Sequence, residues 1–195
     1  MEYKYIKGNN SSTIILFHGT GGDINDLIPV AKFIDPDSNI ISIKGEVVEN
    51  GMNRYFKRFP NGSFDYKDLS IRTKTINDFI IKLKKDLDLS DNITAIGYSN
   101  GANLISSLLL NDSDVFKNAV LLHPTVIKEK DVNLKGINIY ITYGDNDPIC
   151  SLTGSLSLIE MYINKGANVD SLRTNKGHRV SEEELIKVKE WYEKI

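Results

Sequence analysis

Along the chain, apolar and polar positions change period repeatedly, and the changes mark out elements. Residues 2–7 alternate like an edge strand, and the Asn9-Asn10-Ser11 turn leads into 13–17, a β-branched apolar run expected to be a buried strand. Leu27, Ile28, Ala31 and Ile34 fall at helical spacing within 25–34, and Asp35-Pro36 stops that helix. A short strand follows at 39–43. The longest stretch without a period is 44–67, rich in glycine, asparagine and aromatics. A helix over 68–87 is predicted next, with Ile71, Thr75, Phe79 and Leu83 along its apolar stripe. Beyond it come strand 92–98, helix 100–110, strand 118–122, strand 137–143, helix 152–164, strand 168–174 and helix 181–194. The last helix opens with Ser181-x-x-Glu184, a pair able to cap each other's backbone N–H.

A recurrent strand-then-helix order with buried strands predicts the α/β class: a mostly parallel central sheet covered by helices on both faces. The chain of 195 residues shows no internal repeat or linker, so a single domain over 1–195 with one sizeable core is expected. Its apolar fraction of 41% and charged fraction of 26% are those of a globular protein. A net charge of −2 gives no basic field to draw it to nucleic acid or anionic lipid. The only cysteine, Cys150, rules out an intramolecular disulfide and reads as inert packing in preference to a redox switch. The first apolar run, Ile14 to Phe17, is too short for a signal peptide or a membrane span. A cytoplasmic location is therefore expected, with the sequons at Asn10 and Asn61 unused.

The sharpest chemical motif is Gly97-Tyr98-Ser99-Asn100-Gly101, between the apolar strand ITAI and the apolar helix ANLISSLLL. A serine on such a strand-to-helix turn is held at strained backbone angles, and the residues two before and two after it must lack bulk. The helix N-terminus beyond it points N–H groups at any oxyanion forming beside the serine. An alcohol needs a base to act as a nucleophile, and in this architecture the acid follows the serine and the histidine comes last. His18 precedes Ser99, and His123 follows the LLHP strand but precedes the convincing acids, so its role is expected to be structural. His178, in the Lys176-Gly177-His178-Arg179 loop after the last strand, is the candidate base. Two aspartates in Gly144-Asp145-Asn146-Asp147-Pro148 compete for the acid. Asp147 is favoured, because Pro148 holds its backbone extended and Asp145 is better placed to stabilise the turn. The loop His18-Gly19-Thr20-Gly21-Gly22-Asp23 allows close backbone approach, so the N–H groups of Thr20 and Asn100 are the candidate oxyanion donors. That loop is not a dinucleotide motif, since the third glycine would fall at Ile24.

The chain resembles the bacterial carboxylesterase/phospholipase family of α/β-hydrolases, relatives of acyl-protein thioesterases and dienelactone hydrolases. The likeness is carried by LFHGTGGDINDLIPVA, RYFKRFPNGSFDYKDLSIRT, IGYSNGAN, LLHP, GDNDPIC and KGH, in that order over nearly the whole chain. It is nearest the branch associated with hydroquinone and catechol stress. The resemblance implies the α/β-hydrolase fold and a serine carboxylesterase, with nucleophile Ser99, acid Asp147, base His178 and donors Thr20 and Asn100. Relatives often carry a proline shortly after the acid's Asp-Pro, where this chain has Cys150-Ser151.

Only about fifteen residues join the LLHP strand end to the next strand, too few for an inserted lid, so segment 44–67 becomes the expected pocket wall. Met52, Tyr55, Phe56, Phe59 and Phe64 offer surface for a short acyl or aromatic group, or else pack the segment onto the sheet. Arg54, Lys57 and Arg58 read as a solvated charged face, with recognition of an anionic substrate group as the other reading. The expected partner is a small-molecule ester, handled without metal or organic cofactor, by a monomer or homodimer with no membrane span. Three rivals remain: a thioesterase or lysophospholipase, a magnesium-dependent phosphatase using Asp145-x-Asp147, and a catalytically silent ligand-binding module.

Overall fold

The computed structural model describes residues 1–111 and 114–195. Its strands and helices follow in the order β1 (Tyr3–Ile6), β2 (Thr13–Phe17), α1 (Ile28–Ile34), β3 (Asn39–Ile43), β4 (Val47–Glu49), β5 (Met52–Arg54) and α2 (Tyr66–Asp86). They continue as β6 (Ile93–Tyr98), α3 (Asn100–Leu109), β7 (Asn118–Leu122), β8 (Asn138–Gly144), α4 (Leu152–Asn164), β9 (Asn168–Thr174) and α5 (Glu182–Tyr192). One seven-stranded sheet runs β1-β3-β2-β6-β7-β8-β9. Only β1 is antiparallel to its neighbour in it, and every other pairing is parallel. This is the α/β-hydrolase architecture.

Because successive strand side chains point to opposite faces, the core divides in two. Ile14, Leu16, Ile96, Val120 and Leu122 pack against Ala31 and Ile34 of α1 and Val188 and Trp191 of α5. Ile15, Phe17, Ala95, Leu121 and Ile141 pack against α2, α3 and α4. Every residue of α3 is buried, its polar members Asn100, Asn103, Ser106 and Ser107 included. It approaches the sheet through two glycines. A Cβ on Gly97 would stand 2.7 Å from the Ala102 nitrogen, and one on Gly101 would stand 2.1 Å from the Phe17 carbonyl oxygen.

Three expectations need correction. The first helix begins at Ile28, not Asn25, with Pro29 in its first turn, because Asp23 and Asp26 spend their carboxylates on local backbone N–H groups. The buried stripe of α2 is Leu69, Thr73, Ile76, Ile80 and Leu83, whereas Ile71 lies 56% exposed. Thr73 lies on that face: its hydroxyl meets Leu69 O and Ser107 Oγ, each at 2.7 Å, and is buried at no polar cost. The third correction is inside 44–67, where β4 and β5 form a hairpin. Its turn residues Asn50 and Gly51 have φ of 52° and 75°, the left-handed pair of a tight hairpin.

The β7–β8 connection, residues 123–137, contains no helix or strand, so no lid stands over the strand ends. Among the described residues, no helix is long and apolar enough to cross a membrane.

Candidate active site

The carboxyl ends of five parallel strands bring the candidate residues to one edge of the sheet, the usual ligand edge of such sheets. His18 follows β2, Ser99 follows β6, His123 follows β7, Asp145 and Asp147 follow β8, and His178 follows β9. Ser99 sits between strand and helix at φ 49°, ψ −110°. A non-glycine residue held there costs about 1–3 kcal/mol, offset by the packing of β6 and α3 on either side.

Ser99, His178 and Asp147 form a continuous row. Ser99 Oγ lies 2.9 Å from His178 Nε2, and His178 Nδ1 lies 2.7 Å from Asp147 Oδ2. Asp147 Oδ1 accepts the N–H of Ile149 at 2.8 Å and of Cys150 at 2.9 Å. Burial alone would push this carboxyl up. The Cys150 N–H, the His178 ring and the Ile149 N–H outweigh it and hold the carboxyl below its usual range. An ionised carboxylate only accepts, so His178 Nδ1 carries the proton and Nε2 is left to accept from the serine hydroxyl. The imidazole loop is fixed by Tyr98, whose hydroxyl donates to the His178 carbonyl at 2.7 Å. Asp145 turns away, accepting from Arg173 Nε at 2.6 Å. The two aspartates therefore do not converge as a phosphatase pair.

The row has a buried neighbour that the sequence reading left as merely structural. His123 and Glu184 are both fully buried, and His123 Nε2 lies 2.8 Å from Glu184 Oε1. His123 Nδ1 stands 3.4 Å from Asp147 Oδ2 without the alignment of a hydrogen bond. Glu184 also accepts from Ser181 N–H at 2.7 Å, so the capping box of α5 doubles as an anchor for the strand-end histidine. The cap was visible in Ser181-x-x-Glu184, but nothing local announces that its carboxylate reaches β7. The ligating atoms of His123, Asp147 and His178 lie within 4.8 Å of one another, a spacing that could also accept a metal ion.

Burial raises the Glu184 carboxyl pKa, but the His123 ring and the Ser181 N–H bring it below the usual 4.5. A folded pKa below the unfolded one stabilises fully above about pH 4.5 and is lost as pH falls through the folded value. Glu184→Gln is accordingly expected to lower the thermal midpoint at pH 7 by on the order of 5 °C. Melts between pH 7 and pH 3 should show the gap to wild type closing on the acid side; a gap that stays constant would exclude a charged role.

The glycine loop after β2 is held by contacts that no motif contains. His18 Nδ1 lies 2.7 Å from Gly19 O, and its Nε2 accepts the Gly45 N–H at 3.0 Å, which makes it a neutral ring with the proton on Nδ1. Burial also pulls its pKa down. Tyr55 stacks on His18 at 4.8 Å between centroids, takes the His18 N–H at 2.9 Å and donates its hydroxyl to Ile43 O at 2.7 Å. The Tyr55 N–H donates to Asn100 Oδ1 at 2.8 Å, and Gly21 N–H donates to Asn53 O at 2.9 Å. The β4–β5 hairpin thus clamps the Thr20 loop to the start of α3. Among the described residues, nothing accepts from the backbone N–H of Thr20 or of Asn100.

The expected pocket residues divide. Tyr55 and Phe56 are core residues with no surface to offer a ligand, which corrects their assignment as pocket wall; Phe64 is buried with them. Met52 is 38% exposed and packs beside Gly21, and Phe59 is 52% exposed on the turn before Ser63. Cys150 is buried, 3.2 Å from Thr125 Oγ and 3.9 Å from His178 Nδ1. Burial raises its pKa to about 11, so it stays a thiol, a poor nucleophile, at neutral pH.

Residues 5–195 match the phospholipase/carboxylesterase family. A hydrolase named MhqD from Bacillus subtilis (strain 168) is 38% identical over 195 residues, covering 98% of each chain. Among solved structures, a carboxylesterase from Bacillus cereus superposes with a TM-score of 0.96 at 42% identity, over 100% of this chain and 94% of that one. YahD, solved with malic acid, superposes at 0.93 and 29% identity, over 99% and 98%.

Proposed function

Because the chain belongs to the phospholipase/carboxylesterase family, and is a hydrolase by that membership, we propose that it cleaves small carboxylic esters through a covalent acyl-enzyme on Ser99. The observation that carries this reading is the row of hydrogen bonds from Ser99 Oγ through the His178 ring to Asp147, at 2.9 and 2.7 Å.

In the first half-reaction His178 Nε2 takes the serine proton as Oγ attacks the ester carbonyl. The carbonyl oxygen becomes an oxyanion and takes hydrogen bonds from the N–H groups of Thr20 and Asn100. Asp147 keeps the ring in the required tautomer and stabilises the imidazolium. His178 then gives its proton to the leaving alcohol oxygen as the tetrahedral intermediate collapses. In the second half-reaction water enters in place of the alcohol, and the same base and donors release the acid and regenerate Ser99. Met52, beside the Thr20 loop, supplies apolar surface for a short acyl or aromatic group, and the absence of an inserted lid suits a small substrate.

A fluorophosphonate probe tests this. It should phosphonylate wild type at Ser99, read by peptide mass spectrometry, with labelling abolished in Ser99→Ala and slowed at least a hundredfold in His178→Ala. An unlabelled wild-type protein would sink the acyl-enzyme and leave the silent-module alternative. Matched oxygen and sulfur esters then separate an esterase from a thioesterase by their relative kcat/KM.

A further inference from the structure

Two arginines on the hairpin segment stand half-buried beside the site, with one carboxylate between them. Arg54 ends β5, one residue before the Tyr55 N–H that holds Asn100. Arg58 lies over the Phe64 ring at 5.2 Å from the centroid. Glu49 serves both. Its Oε2 is 3.4 Å from Arg54 Nε, and its oxygens accept the Arg58 backbone N–H at 3.4 and 3.3 Å.

The Arg58 guanidinium makes no ion-pair contact among the described residues and feels Glu49 only at longer range, so two cations share one anion. Arg54 Nη1 and Arg58 Nε are closed off from solvent with no hydrogen-bond partner, and Arg54 Nε, equally closed off, has the Glu49 ion-pair contact without hydrogen-bond alignment. Unsatisfied, partly desolvated guanidinium groups are unfavourable in the free protein, and a bound anion would relieve them. This is not the solvated charged face expected of Arg54, Lys57 and Arg58; of these three only Lys57 is exposed.

Both arginines lie on the segment that is tied to the site through the Tyr55 N–H. Arg54 connects through Tyr55 to Asn100, the neighbour of Ser99. The Arg58 charge reaches Cys150 and favours its ionisation, though burial outweighs it and keeps the thiol, and Cys150 Sγ lies 3.9 Å from His178 Nδ1. Burial and then the Arg54 charge pull the Arg58 pKa down, yet a guanidinium stays protonated at any working pH.

We propose that Arg54 and Arg58 form an anion subsite, so that the preferred substrate is an ester carrying a free carboxylate a few bonds from the scissile carbonyl. The inference rests on the acyl-enzyme reading and adds the substrate's charge to it. A planar carboxylate matches the guanidinium fork, and its binding positions the ester over Ser99. A purely structural tie between hairpin and loop would need one arginine on Glu49. The second cation, left without an ion-pair contact, is what calls for a ligand.

Two isosteric ester pairs test the proposal: 4-acetoxybenzoate against 4-acetoxybenzamide, with the charge on the alcohol, and monomethyl adipate against its monoamide, with the charge on the acyl group. Wild type should favour the charged member of at least one pair by about tenfold or more in kcat/KM, the difference residing mainly in KM and shrinking with added salt. Arg58→Gln should collapse that ratio and Arg58→Lys retain part of it. Glu49→Gln, which leaves both cations uncompensated, should raise it, so the proposal stays testable even where an arginine variant folds poorly. Turnover of neutral esters with no charged preference, or a preference that survives in both Arg54→Gln and Arg58→Gln, would overturn the subsite and leave the esterase reading standing. No turnover of any ester together with no fluorophosphonate labelling would remove both.

Discussion

Ser99→Ala is expected to lower kcat on a small aryl ester by on the order of 10⁴-fold or more, equivalent to about 5.5 kcal/mol of transition-state stabilisation. The substitution deletes one atom. Ser99 Oγ has His178 Nε2 as its hydrogen-bond partner, so no structural bond is lost with it. The backbone at φ 49° is fixed by the sheet and by α3, not by the hydroxyl, and alanine meets the same strain. The thermal midpoint should therefore stay near that of wild type while turnover disappears. What survives comes from the Thr20 and Asn100 N–H groups and from binding, acting on water instead of serine. Steady-state kinetics beside a thermal melt checks both halves. A folded Ser99→Ala protein within tenfold of wild type would place the nucleophile elsewhere.

Much of this was legible in the sequence, for physical reasons that differ between elements. The parallel strands announce themselves because burial on both faces forces continuous apolar runs, as in Ile14 to Phe17 or Ala119 to Leu122. The Ser99 turn is legible because its geometry excludes side chains at Gly97 and Gly101, a constraint written directly in residue type. The stripe of α2 is misread because the even four-residue step of Ile71, Thr75, Phe79 and Leu83 drifts round a 3.6-residue helix, whereas the buried face alternates steps of four and three through Leu69, Thr73, Ile76, Ile80 and Leu83. The β4–β5 hairpin did carry its signal in Asn50-Gly51, but flanking strands of three residues are too short to show a period. The long-range partners are the least legible. His18, Tyr55 and Asn100, like His123 and Glu184, meet only once the sheet stacks its strand ends together, and no local spacing encodes such contacts.

Asp147→Asn is expected to cost on the order of 10⁴-fold in kcat, nearly as much as loss of the serine, and the hydrogen bonds around the carboxylate say why. Oδ1 is pinned by two backbone donors, Ile149 N–H and Cys150 N–H, at 2.8 and 2.9 Å. An asparagine must keep its carbonyl oxygen on those donors, because turning its NH₂ toward them would set donor against donor. The NH₂ then faces His178 Nδ1, where Oδ2 now stands at 2.7 Å. A ring nitrogen facing a donor has to accept, so the proton moves to Nε2 and points at Ser99 Oγ, and the base is protonated where it should be bare. Fold and labelled position are kept, but the attacking hydroxyl loses its acceptor. Asp145→Asn is the matched control: its carboxylate bonds Arg173 and no part of the row, so turnover should change by less than about threefold. Parallel measurement of the two variants assigns the orienting acid. A large loss in Asp145→Asn with activity kept in Asp147→Asn would reverse that assignment.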